Sequence, residues 1–173
     1  MKIPALMILV SFIAVAAAAD GPGDAERGAE LLAPFKANLK QALIEGMQEG
    51  PASAIDVCRD KAPQIATWLS VDGVVLGRSS HKLRNPDNVA PEWLAPLLEE
   101  WAAAEARPEP ALVELPGGRQ GYVEPIYLQP LCLTCHGSEI APDIAERIAA
   151  LYPADAATGF SAGDFRGVFW VEF

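Results

Sequence analysis

The chain has few of the side chains that most often bind metal ions or haem iron. Its 173 residues include two histidines, three methionines and three cysteines. A structural zinc site needs two ligand pairs at short spacing, and apart from one cysteine pair the chain has only Cys58 and His81, which lie far apart in the sequence. This scarcity disfavours a zinc site and makes each remaining ligand residue significant.

Basic side chains are also few. The chain has 13 lysines and arginines against 23 acidic residues, for a formal net charge of −10. Such a surface repels nucleic acid and anionic lipid, so we expect no nucleic-acid partner. A basic protein partner is compatible with this charge, although an acidic excess more often serves solubility. The sequence shows no internal repeat, and its length suits one well-buried domain.

Long apolar runs are missing after the first residues, where 1–19 has the pattern of a secretory signal peptide. Lys2 supplies the positive start, 3–15 the apolar run and 17–19 the small-residue cleavage site. The strongly apolar part is short for a transmembrane anchor. We therefore expect a periplasmic protein whose mature chain, 20–173, is a single domain with no membrane span. Because Lys2 is removed with the signal peptide, the mature chain has one more net negative charge than the full sequence.

The sequence Cys132-Leu133-Thr134-Cys135-His136 has the Cys-x-x-Cys-His pattern of covalent c-type haem attachment. Each thiol can add to one porphyrin vinyl group, and their spacing places both on one turn of backbone. His136 then lies beneath the ring, where its imidazole can bind the iron. We predict one haem c, attached outside the cytoplasm by the cytochrome c maturation machinery, which agrees with the export signal.

A thioredoxin-like redox pair is the main alternative for Cys132 and Cys135. Such pairs follow a strand at the start of a helix in a βαβ unit, whereas Pro130 and Leu131 precede this one. The haem interpretation is therefore preferred.

The apolar periodicity predicts helices, a strand, a helix, a hairpin, the haem-binding turn, a helix and a closing strand. We expect helices over 24–49, 51–69, 91–106 and 142–151, and strands over 74–76, 111–115, 121–128 and 167–173. The first helix has an apolar stripe consisting of Leu31, Phe35, Leu39, Leu43 and Met47. We interpret this stripe as a core-packing face.

Motifs along nearly all of the mature chain resemble those of the Tll-type c-type haem domains, a family of unknown function. They are Ala54-Ile55 with Val57-Cys58, Ala62-Pro63, Gly77-Arg78-Ser79-Ser80, Arg84-Asn85-Pro86 with Asn88, Trp93, Cys132 to Gly137, Tyr152-Pro153 with Asp155 and Ala157, and Gly163-Asp164 with Arg166-Gly167. The resemblance implies an α+β fold: a PAS-like antiparallel β-sheet flanked by helices, with a long N-terminal helix. It also implies one haem per domain, either free in the periplasm or in the sensing part of a membrane-bound signalling protein.

The second axial position of the iron, opposite His136, has three candidate ligands. Met47 lies on the core stripe, and His81 lies in a polar, basic loop. Cys58 falls on the apolar face of the second helix, matches the cysteine of the family, and is left over once the other two cysteines bind haem. We therefore predict that Cys58 binds ferric iron, with an inert buried thiol as the alternative.

A thiolate ligand favours ferric iron because it neutralises positive charge that is lost on reduction, so we expect a low potential. We predict that Arg78 and Arg84 bind the haem propionates. The function expected is that of a low-potential electron carrier, or a soluble sensor of redox state or a diatomic gas, with an unknown redox or signalling protein as partner. A haem enzyme such as a peroxidase is the alternative, for which only His81 could serve as distal histidine.

Overall fold

The computed structural model describes residues 23–173, so the predicted signal peptide lies outside the described residues. The described helices are α1 (Asp24–Glu49), α2 (Pro51–Leu69), α3 (Ala95–Ala103), α4 (Leu133–His136) and α5 (Pro142–Leu151), and the strands are β1 (Val75–Ser79), β2 (Ala111–Leu115), β3 (Arg119–Tyr127) and β4 (Phe165–Glu172). In this part of the chain, no helix has the length and apolar character needed to cross a membrane.

The four strands form one antiparallel sheet in the order β1-β4-β3-β2. Tyr122 of β3 is paired with Val171 of β4, and Val123 with Trp170. Successive side chains of a strand point to opposite faces, so the first pair faces one side of the sheet and the second pair the other. The expected α+β fold, an antiparallel sheet flanked by helices with a long N-terminal helix, is confirmed.

Helices α1 and α2 cover one face of the sheet. Leu32 and Phe35 of α1 are fully buried there against Tyr122 and Val171. Gly28 permits this close approach, because a Cβ at this position would overlap the side chain of Tyr122. The packing fixes the position of α1, and with it the cavity described below.

Helix α3 covers the opposite face of the sheet. The buried residues of this layer are Leu94, Leu98, Trp101, Val123 and Val168. The helix is shorter than predicted: the chain turns before Ala95, where the amides of Leu94 and Ala95 both bond to the carbonyl of Pro91, and Ala104 is extended. The other three predicted helices have the expected bounds.

A third cluster joins α2 to α5. Its buried members are Ile55, Ile144, Ile148 and Tyr152, and Cys135 packs against them. This cluster therefore holds the Cys-x-x-Cys-His turn close to α2, although about 75 residues separate them in the chain.

Candidate functional site

A cavity of about 620 Å³ lies between α1, α2, the sheet and the Cys-x-x-Cys-His turn. Its volume falls within the range of roughly 300–1,000 Å³ that is usual for cofactor sites. Most of its wall is apolar, and includes Leu39, Leu43, Met47, Ile55, Ile126 and Phe169. The cavity is thus suited to a mainly apolar molecule of cofactor size.

All six of the site residues predicted from the sequence line this cavity. They are Cys58, Arg78, Arg84, Cys132, Cys135 and His136. Met47 lines it as well, whereas His81 borders a separate cleft of about 400 Å³. Of the three candidates for the second axial position, the structure therefore brings Cys58 and Met47 to the site.

The Cys-x-x-Cys-His turn has a compact helical backbone. A 3-10 turn at Pro130–Cys132 leads into α4, so the two cysteines occupy one turn of helix with their side chains on the same side. The amides of Gly159 and Phe160 donate to the carbonyls of Gly137 and His136, at 3.0 Å each. The turn is therefore held in place by a distant segment of the chain.

The imidazole of His136 has a defined hydrogen-bond partner. Its Nδ1 lies 2.7 Å from the carbonyl oxygen of Ala157, which can only accept, so Nδ1 carries the proton. Burial, with smaller contributions from the guanidinium groups of Arg84 and Arg166, lowers the pKa of His136 to about 3. The imidazole is thus neutral at pH 7, and its Nε2 has a free lone pair, the form that binds metals.

The thiol of Cys135 does not have the properties of a reactive redox cysteine. Burial raises its pKa, and nearby Cys58 and Cys132 raise it further, against the opposing effect of Arg84. Reactive cysteine pairs have a lowered thiol pKa, and the sheet here has no parallel βαβ unit. Among residues 23–173, no three His, Cys, Asp or Glu side chains are grouped to hold a metal ion by themselves.

Every charged side chain in the wall of the cavity is basic. These side chains are Lys36, Lys40, Arg78, Arg84 and Arg166. The concentration of positive charge contrasts with the net charge of −10 of the whole chain. An apolar cavity with basic side chains in its wall is suited to a ligand that has both an apolar body and anionic groups.

The arginines of the cavity differ in how they are bonded. Arg84 pairs with Asp155 through two contacts, Nε–Oδ1 at 3.2 Å and Nη2–Oδ2 at 3.0 Å. Arg166 donates to the carbonyl of Lys82 at 3.0 Å. Arg78 has no hydrogen-bond or ion-pair partner within the described residues. Arg78 is therefore the better placed of the two predicted propionate partners, and both roles remain predictions.

Apart from Met47, the apolar residues of the cavity wall were not assigned to the site from the sequence. The stripe on α1 divides: Phe35 is in the core, while Leu39, Leu43 and Met47 line the cavity. Tyr152 also lines it. Helical periodicity identifies a buried face but does not tell a packed face from a cavity wall, so only the position of the turn could have shown this.

The fold and the cavity define an α+β protein in which a Cys-x-x-Cys-His turn lies beside an internal apolar cavity. The sequence profile of the Tll0287-like family matches residues 25–173, and the chain belongs to this family. The resemblance stated from the sequence motifs is thereby confirmed.

The chain is also similar to a solved structure. The crystal structure of the cyanobacterial haem protein Tll0287 matches this chain with a TM-score of 0.59, and the two sequences are 24% identical. The match covers 83% of this chain and 94% of that chain. At this level of identity the similarity establishes a shared fold. No curated protein matches the sequence.

Proposed function

We propose that the protein is a periplasmic haem protein with one covalently attached haem c, acting in redox chemistry as a low-potential electron carrier or as a soluble sensor of redox state or a diatomic gas. The observation that carries this proposal is that Cys132, Cys135, His136 and Cys58 line one apolar cavity of cofactor size. The structurally similar cyanobacterial protein is described as a haem protein, which adds support.

The residues of the cavity fit a haem c. Both thiols of the turn project from one turn of helix, and the neutral imidazole of His136 keeps its Nε2 for iron. The apolar side chains suit the porphyrin, and the unpartnered Arg78 suits a propionate. When bound, haem supplies one-electron redox chemistry.

The role proposed for Cys58 is that of the second iron ligand in the ferric state. Its position in the cavity wall supports this role, and Met47 in the same wall is the competing ligand. A thiolate in an apolar cavity is stabilised by the positive charge of ferric iron and is less well compensated after reduction. Cys58 would therefore hold the potential low, whereas Met47 would raise it.

The cellular location and the domain organisation of the chain are part of the same proposal. Residues 1–19 have the pattern of a signal peptide, and the family profile begins at residue 25. We therefore assign 20–173 as a single haem-binding domain that is exported and loaded by the cytochrome c maturation machinery. Cell fractionation with an antibody against the mature chain tests this, and recovery of the intact precursor in the cytoplasm would contradict it.

The test of the haem assignment is covalency. The protein, produced in cells with c-type maturation, should keep its haem after acid-acetone extraction, with a mass one haem above that of the chain starting at Asp20. Cys132→Ala and Cys135→Ala should each remove one thioether and shift the pyridine haemochrome band. Cys58→Ala is the matched control, since it should keep both thioethers. Free extraction of haem from the wild type would overturn the assignment.

Carbon monoxide distinguishes the carrier from the sensor. A sensor of diatomic gas needs an iron ligand that leaves on reduction, so the reduced protein should bind carbon monoxide readily. A carrier should be inert to it in both oxidation states. Peroxide turnover tests the alternative of a peroxidase. We expect rates no higher than those of free haem, because His81 borders a different cleft.

A further inference from the structure

The guanidinium of Arg84 connects the Cys-x-x-Cys-His turn to the segment that follows α5. It binds both carboxylate oxygens of Asp155, at 3.2 and 3.0 Å, and its Nη2 also donates to the carbonyl of Cys135 at 2.6 Å. One planar group thus holds an acidic side chain and the backbone of the turn in a fixed relationship.

Ala157 completes the connection back to His136. Its amide donates to Oδ1 of Asp155 at 2.9 Å, and its carbonyl accepts from Nδ1 of His136 at 2.7 Å. Nη2 of Arg84 lies 3.4 Å from the same carbonyl oxygen. The contacts therefore form a closed ring from Arg84 through Asp155, Ala157 and His136 to the neighbouring carbonyl of Cys135.

The ring is shielded from solvent. The side chains of Arg84 and Asp155 are 12% and 8% exposed, and Ala157 is fully buried. Removing one partner of such a buried pair leaves a charge without compensation, so loss of either partner is strongly destabilising. Lysine cannot replace Arg84 here, because a single ammonium group lacks the planar fork that reaches a carboxylate and a carbonyl at once.

We propose that the Arg84–Asp155 pair is a positioning element for the proximal histidine. This inference rests on the proposed function, since it concerns the role of His136 toward iron. The pair holds the carbonyl of Ala157, which fixes both the plane of the imidazole and the hydrogen bond from its Nδ1. Such a hydrogen bond sets the orientation and basicity of a metal-binding histidine. Arg84 thus acts through His136, and this role differs from the propionate binding predicted from the sequence.

The experiment uses the haem-loaded protein and the conservative change Arg84→Lys, which keeps the charge and removes the fork. The low-spin ferric EPR signal should broaden or split, because the imidazole occupies more than one orientation. The Nδ1 proton of His136 should exchange with solvent about tenfold faster, as measured by NMR, because roughly one hydrogen bond's stabilisation is lost.

Arg119→Lys is the matched control. Arg119 also binds a carboxylate, that of Glu172, and a backbone carbonyl, that of Gly73, but does not line the cavity. It should leave both measurements unchanged.

Asp155→Asn provides a second, independent test if the Arg84→Lys protein does not fold or bind haem. The amide keeps the shape of the side chain but cannot form the charged fork, so the same two changes are expected at smaller amplitude. Asp164→Asn is its control, because Asp164 also accepts from a backbone amide, that of Ser161, but is exposed. Wild-type EPR and proton exchange in both variants would overturn the positioning role and leave the haem assignment intact. Absence of haem from the wild type would instead overturn the proposed function.

Discussion

The imidazole of His81 stacks on the phenyl ring of Phe165, with ring centroids 5.7 Å apart and planes inclined by 11°. Partial burial lowers the pKa of His81, and the neighbouring cations of Arg166 and Lys82 lower it further. The folded protein therefore resists protonation of a side chain that titrates normally when the chain is unfolded.

The lowered pKa of His81 predicts a pH dependence of stability. Because the pKa of His81 is lower in the folded state, the unfolded state binds more protons as the pH falls through about 6.5, and folding becomes less favourable. His81→Phe keeps an aromatic ring and should remove this part of the pH dependence. Urea unfolding of both proteins between roughly pH 7.5 and pH 5.5 measures the difference. Identical slopes against pH would contradict the prediction.

Replacement of Cys58 should change the spectrum and the reduction potential of the haem. Under the proposed ligation by Cys58, Cys58→Ser would substitute a weak neutral ligand for a thiolate, so the low-spin ferric spectrum should change and the potential should rise. Spectroscopy of the ferric protein and a redox titration measure both effects. An unaltered ferric spectrum would return Cys58 to the alternative of an inert buried thiol.

Met47→Leu is the matched comparison for Cys58→Ser, because both residues line the cavity. Leucine has a similar volume and cannot bind iron, so spectrum and potential should remain nearly those of the wild type. His81→Ala should leave them unchanged as well, since His81 borders the other cleft. A large change in the Met47 variant alone would identify methionine as the ligand.

Arg78 should influence the potential through its charge. Arg78→Gln removes a cation without a partner in the described residues from the cavity wall, which favours the more positive ferric state. The potential should fall by roughly 40 mV, equivalent to about 1 kcal/mol for a partly screened charge. Arg119→Gln makes the same chemical change outside the cavity wall and should shift the potential far less. Equal shifts in both proteins would argue against a specific role for Arg78.

Gly167 should be required for the packing of β4 against the end of β1. Its φ is +148°, and a Cβ would overlap the carbonyl oxygen of Ser79. Gly167→Ala should lower the free energy of unfolding by about 3 kcal/mol, from backbone strain and steric overlap together. Gly163→Ala is the control: its φ is +88° with open space around the Cβ position, so strain alone should cost about 1 kcal/mol. Urea unfolding measures both, and equal losses would contradict the overlap.

Much of the fold follows from local signals in the sequence. The helices α1, α2 and α5 and the hairpin of β2 and β3 begin and end close to the predicted residues, since proline, glycine and apolar periodicity mark them. The motif of the turn likewise drew attention to Cys132, Cys135 and His136, which line the cavity. These features depend on residues that are near one another in the chain.

The environment of the site could not be derived in the same way. Arg84 and Asp155 are 71 positions apart. No local pattern in the sequence therefore indicates that they form an ion pair. The sequence suggested propionate binding for Arg84, which stays a prediction, but it did not indicate the contact with Asp155. For the same reason the wall of the cavity contributed by α1 was taken for core, because its partner surface is formed by the turn some 90 residues later.

The bonds that hold the Cys-x-x-Cys-His turn also have a consequence for the order of folding. Its carbonyl and imidazole partners lie 51 positions earlier, at Arg84, and 21 positions later, at Ala157. Contacts of such separation form late, because the entropy of closing the intervening loops must be lost first. In the export proposed above, the turn would leave the membrane before residues 155–160, because it precedes them in the chain. We expect its two thiols to remain accessible in a pliable chain during this interval, when thioether formation is sterically easiest, and to become enclosed only when residues 155–160 dock.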